Sequence, residues 1–277
     1  MSLRHRKSRL QLSNIFNSLF QKNERHERPG IYWITPSFED RSVTQDQTND
    51  VVQDVLVHHF LAVDAVTAIV HLSNTNPAAR NGNGLHGFKA TFGGPTSVIV
   101  RVGDIQSSGN LEVPLSTATM KLRGCGSSGI GTFGAKARVY EHVQSFEGQW
   151  QSKPVGSCIV AVAIEPAEGQ DADLDAWYRK EHLKILAKAP SFLRSTRYKL
   201  VHGHVDRLDD ETPRYLALHE YSSVKAILDH AVQKGSLAPE TPWSARVLDN
   251  AKKVERTIWD MSGRYSREAS SGEVLQR

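Results

Sequence analysis

Residues 157–201 decide the fold, with the sequence SCIVAVAIEPAEGQDADLDAWYRKEHLKILAKAPSFLRSTRYKLV. The stretch opens with an alternating run rich in valine and isoleucine, Ser157–Glu165, which predicts a buried β-strand. Asp171–Asp173 supplies N-cap chemistry for a helix, which Pro190 ends. Phe192–His204 follows with the composition of a second strand. The order strand, helix, strand is the first half of a ferredoxin-like unit.

The remaining segments towards the C-terminus complete that unit. Tyr215–Tyr221 predicts a third strand, and Ser223–Lys234 predicts a second helix with one apolar face. Pro239–Asn250 adds one or two helical turns, and Lys253–Met261 predicts the last strand. The resulting order is β-α-β-β-α-β.

The N-terminal half repeats this order less clearly. Its predicted elements are, in chain order, strand Gly30–Phe38, helix Thr48–Val63, strands Ala65–Ser73 and Ser97–Val102, and strand Ala135–Phe146, with an exposed insertion over Asn74–Pro95. The segment AKARVYEHV, which begins at Ala135, resembles AKKVERTIW, which begins at Ala251. We therefore expect an α+β fold in which two ferredoxin-like βαββαβ repeats pack face to face as an intrachain pseudo-dimeric α+β barrel.

This interpretation divides the chain into five parts. They are a flexible basic N-terminal segment (1–28), a degenerate first repeat (29–147), a linker (148–156), the second repeat (157–263) and a flexible tail (264–277).

Composition narrows the class of protein. A net charge of +4 on 277 residues, with no arginine-rich stripe interleaved with aromatics, argues against a nucleic-acid partner. Two cysteines are too few for a disulfide scaffold or a metal-type cluster. The longest apolar run, Cys158 to Ile164, is far shorter than the roughly 20 residues that a membrane-spanning helix needs, so no membrane span is expected.

The first 23 residues contain no acidic side chain, and basic residues surround an apolar stripe at helical spacing. Such a segment is typical of a mitochondrial presequence, but a disordered basic tail is the favoured interpretation. The expected location is cytoplasmic, with a mitochondrial location as the alternative.

The helix Asp173–Ala189 carries the residues with the most evident chemistry. Helical periodicity places Tyr178 on the line that faces the sheet, with Glu181 and His182 flanking that line and Trp177 just beyond Glu181. A partly buried carboxylate beside an imidazole suits general acid/base work. The alternative is a helix rim with a solvated Glu181 and a structural His182.

Three motifs in this half resemble the EthD-like branch of the dimeric α+β barrel superfamily, in particular its two-repeat fungal members. They are the W-Y-x-x-E-H element (Trp177, Tyr178, Glu181, His182), the R-Y-K strand (Arg197, Tyr198, Lys199) and the Y-L-A-L-H-E strand (Tyr215 to Glu220). The similarity is strong over about residues 156–262 and weak over 30–146. It is specific for the family and uninformative about the reaction.

The resemblance implies a pocket between sheet and helices that holds a small, mostly apolar molecule. In the catalytic members of the superfamily a helix histidine often handles the proton, and that role falls here on His182. In the first repeat the corresponding position is Leu56 or Val57, so the acid/base pair is expected to be lost there.

We therefore expect a cofactor-free acid/base lyase, isomerase or cyclase, dehydratase-like, acting on a small aromatic or polyketide-like molecule of secondary metabolism. The expected catalytic residues are His182, Glu181 and Tyr178. The expected substrate-binding residues are Trp177, Tyr198, Arg197, Tyr215 and His219. A non-catalytic small-molecule-binding or accessory protein and a cofactor-free monooxygenase acting on a phenol are the alternatives, and a homodimer stays open.

No cofactor or metal is expected. His202, His204, His219 and His230 invite a metal hypothesis, but no carboxylate or cysteine lies at zinc-type spacing from them. The segment GCGSSG at Gly124–Gly129 lacks the helix that a dinucleotide-binding loop requires after it.

Overall fold

The structure is a computed structural model of the chain. It describes residues 27–38, 48–49, 52–75, 96–107, 133–148, 156–201, 212–227 and 241–266. The basic N-terminal segment, most of the predicted insertion, the linker between 149 and 155, and the tail beyond 266 lie outside the described residues. No helix in the described ranges is long and apolar enough to cross a membrane.

Eight strands form the body of the molecule. They are β1 (Gly30–Phe38), β2 (Val66–Asn74), β3 (Thr96–Val102), β4 (Phe133–Glu147), β5 (Cys158–Glu165), β6 (Phe192–Leu200), β7 (Tyr215–Tyr221) and β8 (Lys253–Ser266). Each lies within a few residues of a strand predicted from the alternation of apolar side chains. The largest difference is at β8, which continues five residues beyond the predicted end at Met261.

The strands close into a single antiparallel barrel in the order β1-β3-β2-β8-β5-β7-β6-β4. Two long strands make the closure. The first part of β4 pairs with β1 and its last part with β6, while β8 pairs with β5 and then with β2. Each long strand thus belongs to both halves, and no edge is left open.

The expected fold class is wrong on this point. We expected α+β architecture with two ferredoxin-like βαββαβ sheets packed face to face, whereas the described residues form one closed eight-stranded antiparallel barrel with few helices. Apolar alternation shows that one face of a strand is buried, but it does not show whether that face meets a second sheet or the inside of a barrel. The barrel forms because β4 and β8 are long enough for each to pair with a strand of either half.

Among the described residues, three longer helical segments lie outside the barrel, in addition to short helical stretches at 48–49 and 224–227. Helix α1 comprises a π-helical turn, Val52–Val57, followed by His58–Leu61. Helix α2 comprises Asp171–Trp177, a π-helical turn Tyr178–His182, and Leu183–Leu186. Helix α3 is Pro242–Asp249, with Thr241 as its N-cap. The predicted helix Ser223–Lys234 is described only over residues 224–227.

The core has three layers that follow from this arrangement. Apolar side chains fill the barrel interior, among them Trp33 and Trp259, whose rings lie edge to face at 5.5 Å. A second cluster lies between α1 and the outer face of the first four strands. A third lies between α2, α3 and the outer face of the last four. Side chains thus fill the interior, as is usual for a barrel of eight strands.

Candidate active site

Helix α2 presents two aromatic rings and an imidazole to the sheet. Trp177 and Tyr178 are buried, and His182 is half-buried. The imidazole of His182 stacks on the indole of Trp177 with ring centroids 4.1 Å apart, and it meets the ring of Tyr178 edge to face at 5.3 Å. These contacts fix the orientation of a histidine that keeps some access to solvent.

The opposite wall of the site is strand β7. Alternation along β7 sends Leu216 and Leu218 into the barrel and directs His219 outwards to the helix. His219 is 3% exposed, and its ring centroid lies 6.1 Å from that of His182 and 6.4 Å from that of Tyr178. The two imidazoles, one on the helix and one on the sheet, therefore lie on either side of one small region.

His219 uses only one of its two ring nitrogens. Its Nδ1 lies 3.0 Å from Oγ of Ser195, its neighbour on β6. Its Nε2 is buried and has no hydrogen-bond partner among the described residues. A buried polar atom without a partner is uncommon in folded proteins and is a place where a ligand or water can bind.

Two arginines bring positive charge to the same region. Arg197, 3% exposed, places its guanidinium 4.2 Å from the ring centroid of Tyr178 and donates to Asp175 at 2.9 Å and Gln144 at 2.7 Å. Arg256 projects from the outer face of β8, opposite Val162, and has no ion-pair partner among the described residues. Among the described residues, one of these two arginines therefore has a counter-ion and the other has none.

Burial controls the protonation of the site. Desolvation lowers the pKa of His219 to about 3, and the charges of Arg256 and Arg197 act in the same direction. Burial also holds the pKa of His182 well below its usual range, assisted by His219, Arg256 and Arg197. Burial raises the pKa of Tyr178 to about 12. At neutral pH the site therefore contains two neutral imidazoles, a protonated phenol and two guanidinium cations.

The structure brings together five of the eight residues that the sequence nominated. They are Trp177, Tyr178, His182, Arg197 and His219. The carboxylate of Glu181 lies away from the imidazole of His182 and accepts a hydrogen bond from Thr241 at 2.5 Å.

Two nominated tyrosines also lie elsewhere. Tyr198 belongs to the apolar cluster inside the barrel, and Tyr215 donates to Asp171 at 2.6 Å near the start of α2. The sequence showed that side chains alternate between the two faces of these strands, but it did not show which face points into the barrel.

Sequence reasoning missed Arg256 and Ser195. Each lies on a strand, and residues two positions away from it on the same strand face the helix layer. Because side chains two residues apart share one face of a strand, this alternation could have placed both residues on the helix side. From the stretch AKKVERTIW alone, Arg256 would be taken for an ordinary surface residue. It can be assigned to the helix-facing side only once Ile258, two residues later, is known to face outwards.

In the described ranges, no group of three or more histidine, cysteine, aspartate or glutamate side chains is arranged to hold a metal ion. His202, His204 and His230 lie outside those ranges. A shallow groove at the other end of α2, lined by Gln170, Asp173, Arg246 and their neighbours, contains neither of the site histidines.

Comparisons with known proteins identify the fold. The sequence matches no protein-family model and no curated protein. Among solved structures it is similar to an "anthrone oxidase-like protein", with a TM-score of 0.57 and 13% identity over 90% of this chain and 96% of that chain. It is also similar to a "putative monooxygenase" from Fusobacterium nucleatum, with a TM-score of 0.51 and 8% identity over 91% of this chain and 98% of that one.

A second "putative monooxygenase", from Lactobacillus acidophilus, has a TM-score of 0.50 and 9% identity over 87% of this chain and 97% of that chain. At these identities the neighbours show a shared fold alone. The EthD-like branch and the fungal type remain expectations.

Proposed function

We propose that this protein is a cofactor-free enzyme in which His182 removes a proton from a small phenolic or enolisable aromatic molecule. The observation that carries the proposal is the pairing of two neutral imidazoles, a half-buried His182 and a buried His219 with ring centroids 6.1 Å apart, with an arginine that lacks a counter-ion among the described residues. A neutral imidazole is ready to accept a proton, and an unpaired guanidinium is ready to stabilise the anion that results.

His182 is the better candidate for the base because it is half-buried, whereas His219 is almost fully buried. Its low pKa alone makes it a weak base. The charge of the new enolate or phenolate beside it offsets the cost of forming an imidazolium in this site, since opposite charges stabilise each other strongly at low polarity. Arg256 and Arg197 add to that stabilisation, and the protonated phenol of Tyr178 is a hydrogen-bond donor for the same oxygen.

The apolar walls suit an aromatic substrate. Trp177 and Tyr178 offer ring faces and edges, and the surrounding outer cluster is largely aliphatic. Aromatic walls with a few convergent polar groups are the usual composition of a small-molecule site.

The fate of the anion separates two reaction classes. Elimination, isomerisation or cyclisation would make the protein a lyase or isomerase, as the sequence resemblance to EthD-like proteins suggests. Reaction with dioxygen would make it an oxygenase, and the name of the anthrone oxidase-like neighbour favours this second class. For an anthrone, the oxygenase step converts the ring methylene and dioxygen into a quinone carbonyl and water, so that atoms and electrons balance without an added reductant.

Anthrone in deuterated buffer tests both parts separately. Without oxygen, proton abstraction at the methylene should appear in NMR spectra as enzyme-dependent exchange of hydrogen for deuterium. With oxygen, an oxygen electrode and the absorbance of anthraquinone should report turnover. Exchange with no oxygen consumption would favour the lyase or isomerase class.

The matched control is His58→Gln, which alters an exposed histidine in the corresponding helix α1. His58→Gln should exchange at the wild-type rate, whereas His182→Gln should lose exchange; exchange that persists unchanged in folded His182→Gln would remove the proposed base. Tight binding of anthrone with no exchange in the wild-type protein would instead establish a binding module.

A further inference from the structure

A second charged cluster lies inside one end of the barrel, away from the histidines. Glu220 follows Leu218 on the inward face of β7, and Arg194 is its direct neighbour on β6. Arg101 follows Ile99 on the inward face of β3, and Arg264 comes from the last part of β8. Three guanidinium groups thus surround one carboxylate.

The contacts within this cluster are incomplete. Arg264 donates to Glu220 Oε1 at 2.9 Å. Nε of Arg194 lies 2.8 Å from Glu220 Oε2 without the alignment of a hydrogen bond, and the nearest nitrogen of Arg101 is 3.9 Å from Oε1. The Nε atoms of all three arginines are buried and have no acceptor among the described residues.

The charges do not balance. Three cations and one anion leave two positive charges on four side chains, and no second carboxylate in the described ranges forms an ion pair with these arginines. Glu220 is only 4% exposed, so its attraction for the guanidinium groups is screened less than on an open surface. Burial raises the pKa of Tyr198, and the nearby charges of Arg101 and Glu220 act on it in opposite directions.

The arginines remain accessible from outside. Between 28% and 37% of each arginine side chain is exposed, although the three Nε atoms are themselves buried. Guanidinium groups match the oxygens of phosphate in geometry and charge, and they bind it in a bidentate manner.

We propose that this end of the barrel binds a phosphate dianion, either free or as the end of a small phosphate monoester. A doubly charged oxyanion would neutralise the two unbalanced charges and supply acceptors for the guanidinium donors that lack them. The site is separate from the histidine site, because its residues face the barrel interior and the histidines face the helix layer.

Calorimetry with inorganic phosphate, and with phenyl phosphate in a second arm, measures this directly. Chloride at matched ionic strength is the reference in every experiment. We expect saturable phosphate binding that raises the melting temperature, since a ligand that binds only the folded state stabilises it. Tighter binding of phenyl phosphate would identify a monoester as the ligand, and equal binding would identify free phosphate.

Two substitutions should act in opposite directions. Arg101→Gln should weaken phosphate binding about 10- to 100-fold, as expected for the loss of a charge-assisted hydrogen bond. It should not lower the melting temperature in chloride, because it removes a repulsive charge with only a 3.9 Å contact. Glu220→Gln should lower the melting temperature in chloride but strengthen phosphate binding, because it removes the competing carboxylate.

Arg246→Gln is the matched control, since this exposed arginine on α3 pairs with Asp173 outside the barrel. It should leave phosphate affinity unchanged. Phosphate that stabilises the wild-type protein no more than chloride overturns the proposal. An affinity that is equal in Arg101→Gln and wild type, or weaker in Glu220→Gln, overturns it as well and leaves the cluster as a structural ion pair.

Discussion

The two halves of the barrel carry opposite chemistry at corresponding positions. In the first half β3 pairs with β1, and in the second half β7 pairs with β5. When these two pairs of strands are matched residue by residue, Val100 on β3 corresponds to His219 on β7. The cross-strand neighbour of Val100 is Ile69, whereas that of His219 is Ser195. The outer layer of the first half is therefore aliphatic where the second half has an imidazole and a hydroxyl.

The long strands and the helices extend the comparison. In the second half, Arg256 on β8 is the cross-strand neighbour of Val162. At the corresponding place in the first half, Ala137 on β4 is the cross-strand neighbour of Ile34. Helices α1 and α2 both contain a π-helical turn, Val52–Val57 and Tyr178–His182. Because both halves have this turn, it belongs to the scaffold, and the side chains around it distinguish the second half.

This difference bears on function because buried polar groups are costly. Placing His219 and Arg197 in an apolar layer costs free energy that the aliphatic side chains of the first half avoid. Perturbed protonation in a polar cluster on an otherwise apolar face is typical of a functional site. The first half shows that the same barrel closes without an imidazole at the position of His219, although it buries one elsewhere, His71 beside Thr96.

The largest expected effect is the loss of activity in His182→Gln. The amide keeps a polar group of similar reach but cannot cycle a proton, so the rate of anthrone exchange should fall about 100- to 10,000-fold. Exchange is measured by NMR at equal protein concentration, with circular dichroism to verify folding. Full activity in a folded variant would remove the chemical distinction between the two halves.

The next effect concerns the stability of the first half. Leu56 is fully buried between α1 and the sheet, so Leu56→Ala should lower the free energy of unfolding by about 2–5 kcal/mol through lost packing. Urea unfolding followed by fluorescence measures this change, and exchange activity should persist below the unfolding transition. A loss of activity that exceeds the unfolded fraction would contradict the separation between a scaffold half and a chemical half.

Much of the fold was predictable from local pattern, and the closure was not. Strand Tyr215–Tyr221 has the predicted bounds because its alternation is strong and its ends are well marked. Barrel closure depends on the pairing of β4 with β6 and of β2 with β8, which joins residues about 50 to 200 positions apart and leaves no local signal.

The candidate site also contains features that local sequence pattern predicts and features that depend on contacts between distant residues. Helical periodicity predicted that Tyr178 and His182 lie near the sheet, since that depends only on residues within one helix. The partner of Glu181 is Thr241, which is 60 residues away and reaches it only because α3 packs beside α2. Periodicity placed Glu181 at the rim of the helix but could not say which neighbour it would meet.

The third prediction concerns pH and applies to both halves. Burial lowers the pKa of His219 to about 3 and that of His71, in the first half, to about 4. Because the unfolded chain binds these protons near pH 6.5, the stability due to the neutral imidazoles is complete above pH 6.5 and is lost as the pH falls. Each histidine should contribute a slope of about 1.4 kcal/mol per pH unit within that window.

Denaturant unfolding at several pH values between about 4.5 and 6 measures the slope. His219→Val, which copies Val100 of the first half, should reduce it by the contribution of one proton, and His71→Val should do the same. Equal slopes in His219→Val and wild type would show that His219 already carries a proton in the folded protein, which contradicts the neutral site proposed here.

The smallest expected effect is that of Glu181→Gln, and it tests where the chemical difference between the halves ends. Glu181 accepts from Thr241, whose Oγ1 also accepts from the backbone N–H of Ser244 at 3.0 Å; Ser244 Oγ in turn accepts from the indole of Trp177 at 3.1 Å. The carboxylate is thus at the end of a chain of hydrogen bonds that holds the wall behind His182, and it does not contact the imidazole.

Glutamine keeps a carbonyl oxygen for Thr241, so we expect the unfolding free energy of Glu181→Gln to change by no more than about 1 kcal/mol. The rate of exchange should stay within about 3-fold of wild type, a far smaller effect than the loss of an acid/base group. An NMR titration of His182 should give the same pKa in both proteins. A loss of activity near that of His182→Gln would mean that Glu181 charges the histidine after all, and the distinctive chemistry of the second half would then extend from the sheet-facing residues to the rim of α2.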